Sequence, residues 1–185
     1  MLIAGTGSIA IARSEDGSTR RVGGWGQELG DEGSGYWIGR EALHAVVQAD
    51  DGRAADTALR SAVLDHLRLG AATDLIAWVA SADKGAVAAL VPGVAGAAEG
   101  GDQVAQDVLE RASAALERHV SALLEQSGPW SQAPPLALWG GLIWEGGPLR
   151  DRLVRALAGH DVRLLEHQCD PPLGAAKKAL SLDLP

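Results

Sequence analysis

Two glycine-rich turns stand near the start of the chain, and they constrain its fold more than any other feature. The first is Gly5-Thr6-Gly7-Ser8, flanked by the short apolar runs Leu2 to Ala4 and Ile9 to Ala12. Apolar runs of this length on either side of a tight turn predict a β-hairpin. The second lies in the stretch from Gly23 to Glu41, GGWGQELGDEGSGYWIGRE, whose pattern becomes helical from Asp31 onward. The chain is therefore expected to open with strands and then continue into a helix.

The rest of the chain alternates between helical and extended patterns. Asp16-Gly17 predicts a second hairpin turn, followed by a third strand from Thr19 to Val22. Asp31, Glu32 and Ser34 are residue types that cap a helix, so a helix is expected directly after them. Further helices are predicted at 55–67, 73–79, 85–98 (interrupted at Pro92) and 104–126, then a buried strand at 135–138, a helix at 149–157, a strand at 162–165 and a closing helix at 173–180. This order predicts an α/β domain with a mixed sheet.

Charge and composition narrow the classes of partner. The 185 residues carry a formal net charge of −8, which disfavours binding to nucleic acid phosphates. The single cysteine, Cys169, cannot form an internal disulfide. The longest apolar stretch, Gly85 to Ala98, contains Pro92 and is too short to span a bilayer. The N-terminus lacks the features of a signal peptide, so a cytoplasmic protein that does not enter a membrane is expected.

Three glycine-rich segments are candidate ligand-binding sites. At Gly5-Thr6-Gly7-Ser8, backbone N–H groups and two hydroxyls could face an anion, although an ordinary hairpin turn uses the same residues. At Gly23-Gly24-Trp25-Gly26, the indole could pack on an apolar face of a sugar or fill the core beneath the loop. Gly140-Gly141 follows a predicted strand, where ligands gather in α/β sheets, but the dipeptide alone favours a simple tight turn between strand and helix.

Few other residues are candidates for a catalytic, ligand-binding or metal-binding role. Asp31 could accept hydrogen bonds from ligand hydroxyls or could simply cap the helix. Ser8 and Ser34 lack the G-x-S-x-G context of a hydrolase nucleophile, and Cys169 has no evident base partner. No metal site is expected from the scattered histidines, which are His44, His66, His119, His160 and His167.

Taken together, these motifs resemble one family. GTGS, GGWG and GDEGSGYWIGREAL are similar to the N-acetylglucosamine kinase branch of the sugar-kinase/Hsp70/actin superfamily, also called the BadF/BadG/BcrA/BcrD ATPase family. Leu138-Trp139-Gly140-Gly141-Leu142 resembles the family's adenosine-binding strand and turn, and Pro172-Leu173-Gly174-Ala175-Ala176 its closing helix. The resemblance implies a ribonuclease-H-like (actin-like ATPase) α/β domain with a mixed sheet flanked by helices.

The resemblance also implies roles for individual residues in an ATP-dependent, Mg²⁺-assisted transfer of phosphate to N-acetylglucosamine or a related hexosamine. The residues implied to bind ATP are Gly5, Thr6, Gly7 and Ser8 in a phosphate hairpin, Ala98 in a segment that closes over the nucleotide, and Gly140 and Gly141 in the adenosine turn. The residues implied to bind the sugar are Gly24, Trp25, Gly26, Gln27 and Asp31, the last through the sugar hydroxyls. No catalytic residue and no metal ligand of the protein is assigned.

Two motifs of the family are absent from this sequence. Such kinases have two ribonuclease-H-like domains, and the first carries a D-G-G-x-T phosphate hairpin and the catalytic aspartate. Neither is found here, so residues 1–185 are expected to be the C-terminal domain alone, with little or no activity by themselves. The face that would meet the absent N-terminal domain is expected to favour self-association.

Two other functions remain open on the sequence. The chain could be a nucleotide- or sugar-binding regulatory module without catalysis. It could also belong with the BadF-type ATPase activators of electron transfer, but these hold an iron–sulfur cluster through cysteines, and only Cys169 is available.

Overall fold

A computed structural model describes residues 1–165. The strands are β1 (Leu2–Ala4), β2 (Ser8–Arg13), β3 (Thr19–Gly23), β4 (Pro135–Leu136), β5 (Leu138–Trp139) and β6 (Arg163–Leu164). The helices are α1 (Gly35–Asp50), α2 (Leu59–Leu67), α3 (Leu75–Ser81), α4 (Lys84–Ala88), α5 (Val91–Glu99), α6 (Gln103–Ser127) and α7 (Arg150–Leu157), and a 3-10 turn (Ala72–Asp74) precedes α3. The closing helix expected at 173–180, the PLGAA segment, His167 and Cys169 lie outside the described residues.

The predicted mixed α/β fold with helices against the sheet is confirmed. The larger sheet has the strand order β3-β2-β1-β5, in which β1, β2 and β3 form an antiparallel meander and β5 pairs in parallel with β1. The helix α6 packs against β1, β2 and β3 and also contacts α1, α5 and α7. Buried residues at this junction include Leu2, Ala4, Ala10, Val108, Leu116 and Val120.

The strand expected at 135–138 is instead divided between two pairings. Its first part, β4, pairs in parallel with β6, whereas β5 pairs with β1. Ala137 lies between the two segments, and its carbonyl oxygen accepts a hydrogen bond from Leu2 N at 2.8 Å. The same extended stretch therefore crosses from β6 to β1.

One aspartate sets where two helices begin. Asp102 precedes α6, and its carboxylate accepts hydrogen bonds from Ala105 N at 2.8 Å and from Ala58 N at 2.7 Å. The Thr57 hydroxyl donates to the same carboxylate at 2.9 Å. Since Thr57 and Ala58 are held by this contact, α2 begins at Leu59 rather than at the predicted residue 55.

The same contacts determine the acidity of Asp102. Burial by itself raises the pKa of this carboxyl, but the hydrogen bonds from Ala105 N, Ala58 N and Thr57 together outweigh that effect. The pKa of Asp102 therefore lies below the usual aspartate value. The charged form of Asp102 thus stabilises the junction between α2 and α6.

The helical segment predicted at 85–98 is two helices, α4 and α5, but the interruption does not fall at the proline. Pro92 lies in the first turn of α5, where a missing N–H leaves no hydrogen bond unmade. The break lies before it, between Ala88 and Val91. Across residues 1–165, no helix is both long enough and apolar enough to cross a bilayer.

Candidate functional site

Two of the predicted nucleotide-binding turns meet at one edge of the sheet. Strands β1 and β5 run in parallel with Ile3 opposite Trp139, so the turns that follow them lie side by side. The contact is close at Gly140, which has a φ of +107°. A Cβ on Gly140 would lie only 2.2 Å from Ala4 O. Close packing against β1 therefore accounts for a glycine at position 140, and its role in binding the nucleotide stays a prediction.

The next residue, Gly141, differs from its neighbour. It is exposed, and a Cβ on it would meet no atom within 4 Å. This backbone is open at the sheet edge beside the Gly5–Ser8 hairpin, so it is the part of the turn that a nucleotide base or ribose could contact.

The hydrogen bonds of the Gly5–Ser8 hairpin turn its carbonyl groups toward the start of α1. Gly5 O accepts from Gly35 N at 2.8 Å, and Thr6 O accepts from Tyr36 N at 3.3 Å. Gly5 N donates to Gly7 O at 2.9 Å. Within residues 1–165, the backbone N–H groups of Thr6 and Gly7 have no hydrogen-bond partner. Two consecutive free N–H groups on a turn are the usual donors to a bound phosphate oxygen.

Asp31 lies directly against this hairpin. It is 3% exposed and has a φ of +60°, a conformation that non-glycine residues seldom adopt. Its Oδ1 atom accepts a hydrogen bond from Ser8 N at 3.2 Å, and its Oδ2 atom accepts one from Lys84 Nζ at 2.5 Å. Of the residues predicted to cap α1, Ser34 does so, because its hydroxyl accepts from Trp37 N at 3.2 Å, whereas the alternative that Asp31 caps the helix is wrong.

Lys84 is the residue of this site that sequence reasoning missed. It is the first residue of α4, and its side chain is 33% exposed. Its ammonium lies beside Gly7, where an added Cβ would be 3.0 Å from Nζ. A signal was available in the sequence, since a lone lysine in the alanine-rich run ADKGAVAAL stands at a helix start, where the helix dipole disfavours positive charge.

The tryptophan of the second glycine-rich turn lies on the surface. Trp25 is 64% exposed, which excludes the interpretation that it fills the core beneath the loop. The Arg21 guanidinium carbon lies 4.7 Å from the centroid of its ring. Gly24 N donates to Ser8 O at 3.0 Å, which joins this loop to the phosphate hairpin. Trp25 therefore presents apolar surface next to the hairpin, as a sugar-binding residue would.

Two further predicted sugar contacts, Gly26 and Gln27, follow this tryptophan in the chain. Gly26 has a φ of +85°, and its carbonyl oxygen accepts from Gly30 N at 2.9 Å, which closes the loop. Gln27 donates from Nε2 to Glu28 Oε1 at 3.0 Å on the surface. The roles of Gly24, Trp25, Gly26 and Gln27 in binding a sugar stay predictions.

A cavity of about 280 Å³ borders the Trp25 loop, and Glu32, Arg118 and His119 contribute to its wall. The imidazole of His119 is buried and donates from Nδ1 to Ala115 O at 2.7 Å. Its Nε2 atom faces Gly23 and lies 3.8 Å from Glu32 Oε2. Charged groups beside an exposed indole suit a small polar ligand.

Ala98, the remaining residue predicted to bind the nucleotide, lies on α5 and not in the two turns at the sheet edge. It is buried near the end of α5, and its carbonyl oxygen accepts from Gln106 Nε2 at 3.0 Å. Ala88 is a small residue that lies nearer the hairpin. A Cβ added to Gly35 would lie 3.2 Å from the Cβ of Ala88 and 3.2 Å from Gly5 O. The nucleotide role of Ala98 stays a prediction, with packing between α5 and α6 as its visible role.

Groups of three or more histidine, cysteine, aspartate or glutamate side chains that could hold a metal ion do not occur among residues 1–165. Magnesium in phosphoryl-transfer sites is held largely by phosphate oxygens and water, so the expected Mg²⁺ would be held mainly by the phosphates of ATP. The hairpin fits the phosphates themselves, since its free N–H groups and the Lys84 ammonium are all donors.

Comparison with known proteins identifies the family of the chain. The model of the BadF/BadG/BcrA/BcrD ATPase family matches residues 1–176. The chain is 33% identical over 187 aligned positions to an N-acetyl-D-glucosamine kinase of Dictyostelium discoideum, covering 98% of this chain and 59% of that protein. It is 37% identical over 145 positions to an N-acetylmuramic acid/N-acetylglucosamine kinase of Clostridium acetobutylicum, covering 77% and 47%. The chain thus spans about half the length of these relatives.

A solved structure has the same fold. The crystal structure of a proposed N-acetylglucosamine kinase from Chromobacterium violaceum superposes with a TM-score of 0.75 at 35% identity, covering 90% of this chain and 55% of that one. The fold is therefore that of the actin-like ATPases and sugar kinases, as the sequence motifs implied. On the match over residues 1–176, the chain belongs to the BadF/BadG/BcrA/BcrD ATPase family.

Proposed function

We propose that this chain is the C-terminal, ATP- and sugar-binding domain of a kinase that phosphorylates N-acetylglucosamine or a closely related amino sugar. The observation that carries the proposal is the contact between the phosphate hairpin and Asp31, through Ser8 N and Asp31 Oδ1 at 3.2 Å. Donors suited to a phosphate and an acceptor suited to a sugar hydroxyl are thereby adjacent. Phosphoryl transfer depends mainly on holding these two reactants in line.

Each part of the site has a role in that reaction. The free N–H groups of Thr6 and Gly7 would hold terminal phosphate oxygens of ATP, and the open backbone at Gly141 would face the nucleoside. The exposed ring of Trp25 would cover an apolar face of the sugar. Asp31 would accept hydrogen bonds from sugar hydroxyls and so orient the acceptor. Mg²⁺, when bound, would neutralise charge on the phosphates.

The chemistry needs one more group. A sugar hydroxyl oxygen forms a bond to the γ-phosphorus, the bond from that phosphorus to the bridging oxygen of ADP breaks, and a base takes the hydroxyl proton. Asp31, whose Oδ1 atom is engaged by Ser8 N, is assigned to binding the sugar hydroxyls and not to this proton transfer. The base is assigned to an N-terminal domain outside residues 1–185, and the names of the relatives support the sugar substrate.

Titration calorimetry of the purified chain with N-acetylglucosamine tests the sugar site. Replacing Asp31 by Asn removes a charged acceptor, and we expect sugar affinity to fall about 10- to 100-fold, the effect of losing a hydrogen bond to a charged group. Asp65→Asn, at an exposed position on α2, is the matched control and should leave binding unchanged. Equal affinity of the wild type and Asp31→Asn would contradict the assignment of Asp31 to the sugar.

A coupled assay of ADP release tests the domain assignment. The chain alone should transfer phosphate from Mg·ATP to N-acetylglucosamine weakly or not at all, because the base is assigned elsewhere. A regulatory module would also bind sugar and nucleotide without turnover. Adding the N-terminal domain distinguishes the two functions, because only an incomplete kinase should then transfer phosphate. Robust turnover by residues 1–185, abolished by Asp31→Ala, would refute the proposal that the chain is an incomplete half.

A further inference from the structure

We infer that Lys84 binds the phosphoryl group that is transferred, and so completes the phosphate site of the hairpin with a positive charge. This inference rests on the proposed kinase function and adds a residue to its site. Lys84 lies at the junction between the two halves of that site, with Nζ at 2.5 Å from Asp31 Oδ2 and beside Gly7.

The position of the ammonium carries the argument. The unpartnered N–H groups of Thr6 and Gly7 are neutral donors, and three terminal oxygens of a phosphate carry more negative charge than two such donors can offset. The Lys84 ammonium lies 3.0 Å from the place where a Gly7 Cβ would stand, so it borders the same small space. Backbone N–H groups combined with one lysine form a stronger phosphate site than either alone.

The surroundings of Lys84 allow it to move between partners. Its side chain is 33% exposed, whereas the Asp31 side chain is 4% exposed. The lysine therefore reaches Asp31 from the solvent side, and its flexible stem can turn the ammonium toward an incoming phosphate. With sugar hydroxyls on Asp31 and phosphate on the hairpin, the ammonium lies between donor and acceptor, where negative charge spreads in the transition state.

A simpler role is that Lys84 only neutralises the buried carboxylate of Asp31. The two roles differ in which ligand is affected. A lysine that acts through Asp31 changes the affinity for the sugar. A lysine that contacts phosphate changes the affinity for nucleotides, and the change depends on how many phosphates the nucleotide carries. Binding of Mg·ATP, Mg·ADP and adenosine to the same chain therefore separates them.

The experiment is calorimetry on the full chain with these three nucleotides and with N-acetylglucosamine. Lys84→Met should lower the affinity for Mg·ATP by about 10- to 100-fold, the effect of losing one charge-assisted hydrogen bond, and should leave the affinity for adenosine unchanged. Lys84→Arg should recover part of the loss. Arg155→Met, which removes one exposed positive charge from α7, is the control and should bind Mg·ATP as the wild type does.

Lys84→Met alone leaves the Asp31 carboxylate buried without its cation, which could weaken the fold. The variant that combines Lys84→Met with Asp31→Asn removes both charges and avoids this difficulty. We expect it to keep the defect for Mg·ATP, whereas Asp31→Asn alone should bind Mg·ATP at least as tightly as the wild type. Thermal unfolding of each variant checks that the fold is intact.

The outcomes distinguish this inference from the function on which it rests. Normal Mg·ATP affinity in a folded Lys84→Met chain, with only the sugar affinity reduced, would overturn the phosphate role and leave the kinase proposal standing. Recovery of Mg·ATP binding in the double variant would likewise show that Lys84 acts only through Asp31. A wild-type chain that binds neither nucleotide nor sugar would overturn the proposed function, and this inference with it.

Discussion

The contact between β1 and the turn after β5 makes a sharp prediction for Gly140. Its φ of +107° lies where L side chains are strained, and an added Cβ would stand 2.2 Å from Ala4 O and 2.6 Å from Ala4 C. Both atoms belong to the backbone of β1, so no side-chain rotation can relieve the overlap. Gly140→Ala must therefore push apart the two parallel strands β1 and β5, which hold the two candidate nucleotide-binding turns side by side.

The expected destabilisation has two parts. A residue held in a sparsely populated backbone region is destabilised by about 1–3 kcal/mol. Overpacking against a fixed neighbour adds about 1–3 kcal/mol, so Gly140→Ala should lower the free energy of unfolding by roughly 2–6 kcal/mol. For a chain of this size, that corresponds to a drop in Tm of roughly 5–20 °C.

Urea unfolding followed by circular dichroism measures this change, and the neighbouring glycine is the control. Gly141 has no atom within 4 Å of an added Cβ, and its φ is not in the left-handed region. Gly141→Ala should therefore stay within about 0.5 kcal/mol of the wild type. A Gly140→Ala protein as stable as Gly141→Ala would refute the close approach of the turn to β1.

The remaining predictions concern the helical layer. Asp102→Ala should lower the free energy of unfolding by about 1–3 kcal/mol, because Ala105 N, Ala58 N and Thr57 lose their acceptor. Since the folded pKa of Asp102 is depressed, its contribution is complete above the unfolded value of about 4 and is lost as the pH falls through the folded value. Urea titrations of wild type and Asp102→Ala should therefore converge in acid, and a constant difference would contradict this. Gly39→Ala in α1 should destabilise by about 1–3 kcal/mol, because its Cβ would lie 2.1 Å from a backbone oxygen of α4. Gly96→Ala in α5 meets no atom within 4 Å and should stabilise by about 0.5–1 kcal/mol, so thermal unfolding that ranks these two variants in the opposite order would contradict the packing.

Sequence reasoning succeeded where the signal was local. The hairpin at Gly5–Ser8, the strand after Asp16-Gly17 and the long helix α6 were predicted within a few residues of their observed bounds. In each case, the determining residues are neighbours in the chain: glycines at a turn, or apolar residues at helical spacing. The family motifs are also local strings, and for that reason the match over residues 1–176 agrees with them.

The errors fall where a distant residue intervened. The start of α2 depends on Asp102, which lies 45 residues beyond Thr57 in the chain. Asp31 is a residue type that often caps a helix, but Ser8 N and Lys84 Nζ hold its carboxylate, and the predicted cap that does bond to the helix is Ser34. No pattern of neighbouring residues reports such contacts.

The sequence by itself determined the succession of strands and helices, the family, and the chemical groups present at each turn, because these depend on residue types and their spacing. Only the tertiary structure decided that Gly5–Ser8, Asp31 and Lys84 form one site, with Gly140 packed against β1 beside it. The physical reason is that β1 and β5 pair in parallel and α4 folds back over α1. These two contacts bring together groups that lie far apart in the chain, so the site exists only once the chain has folded.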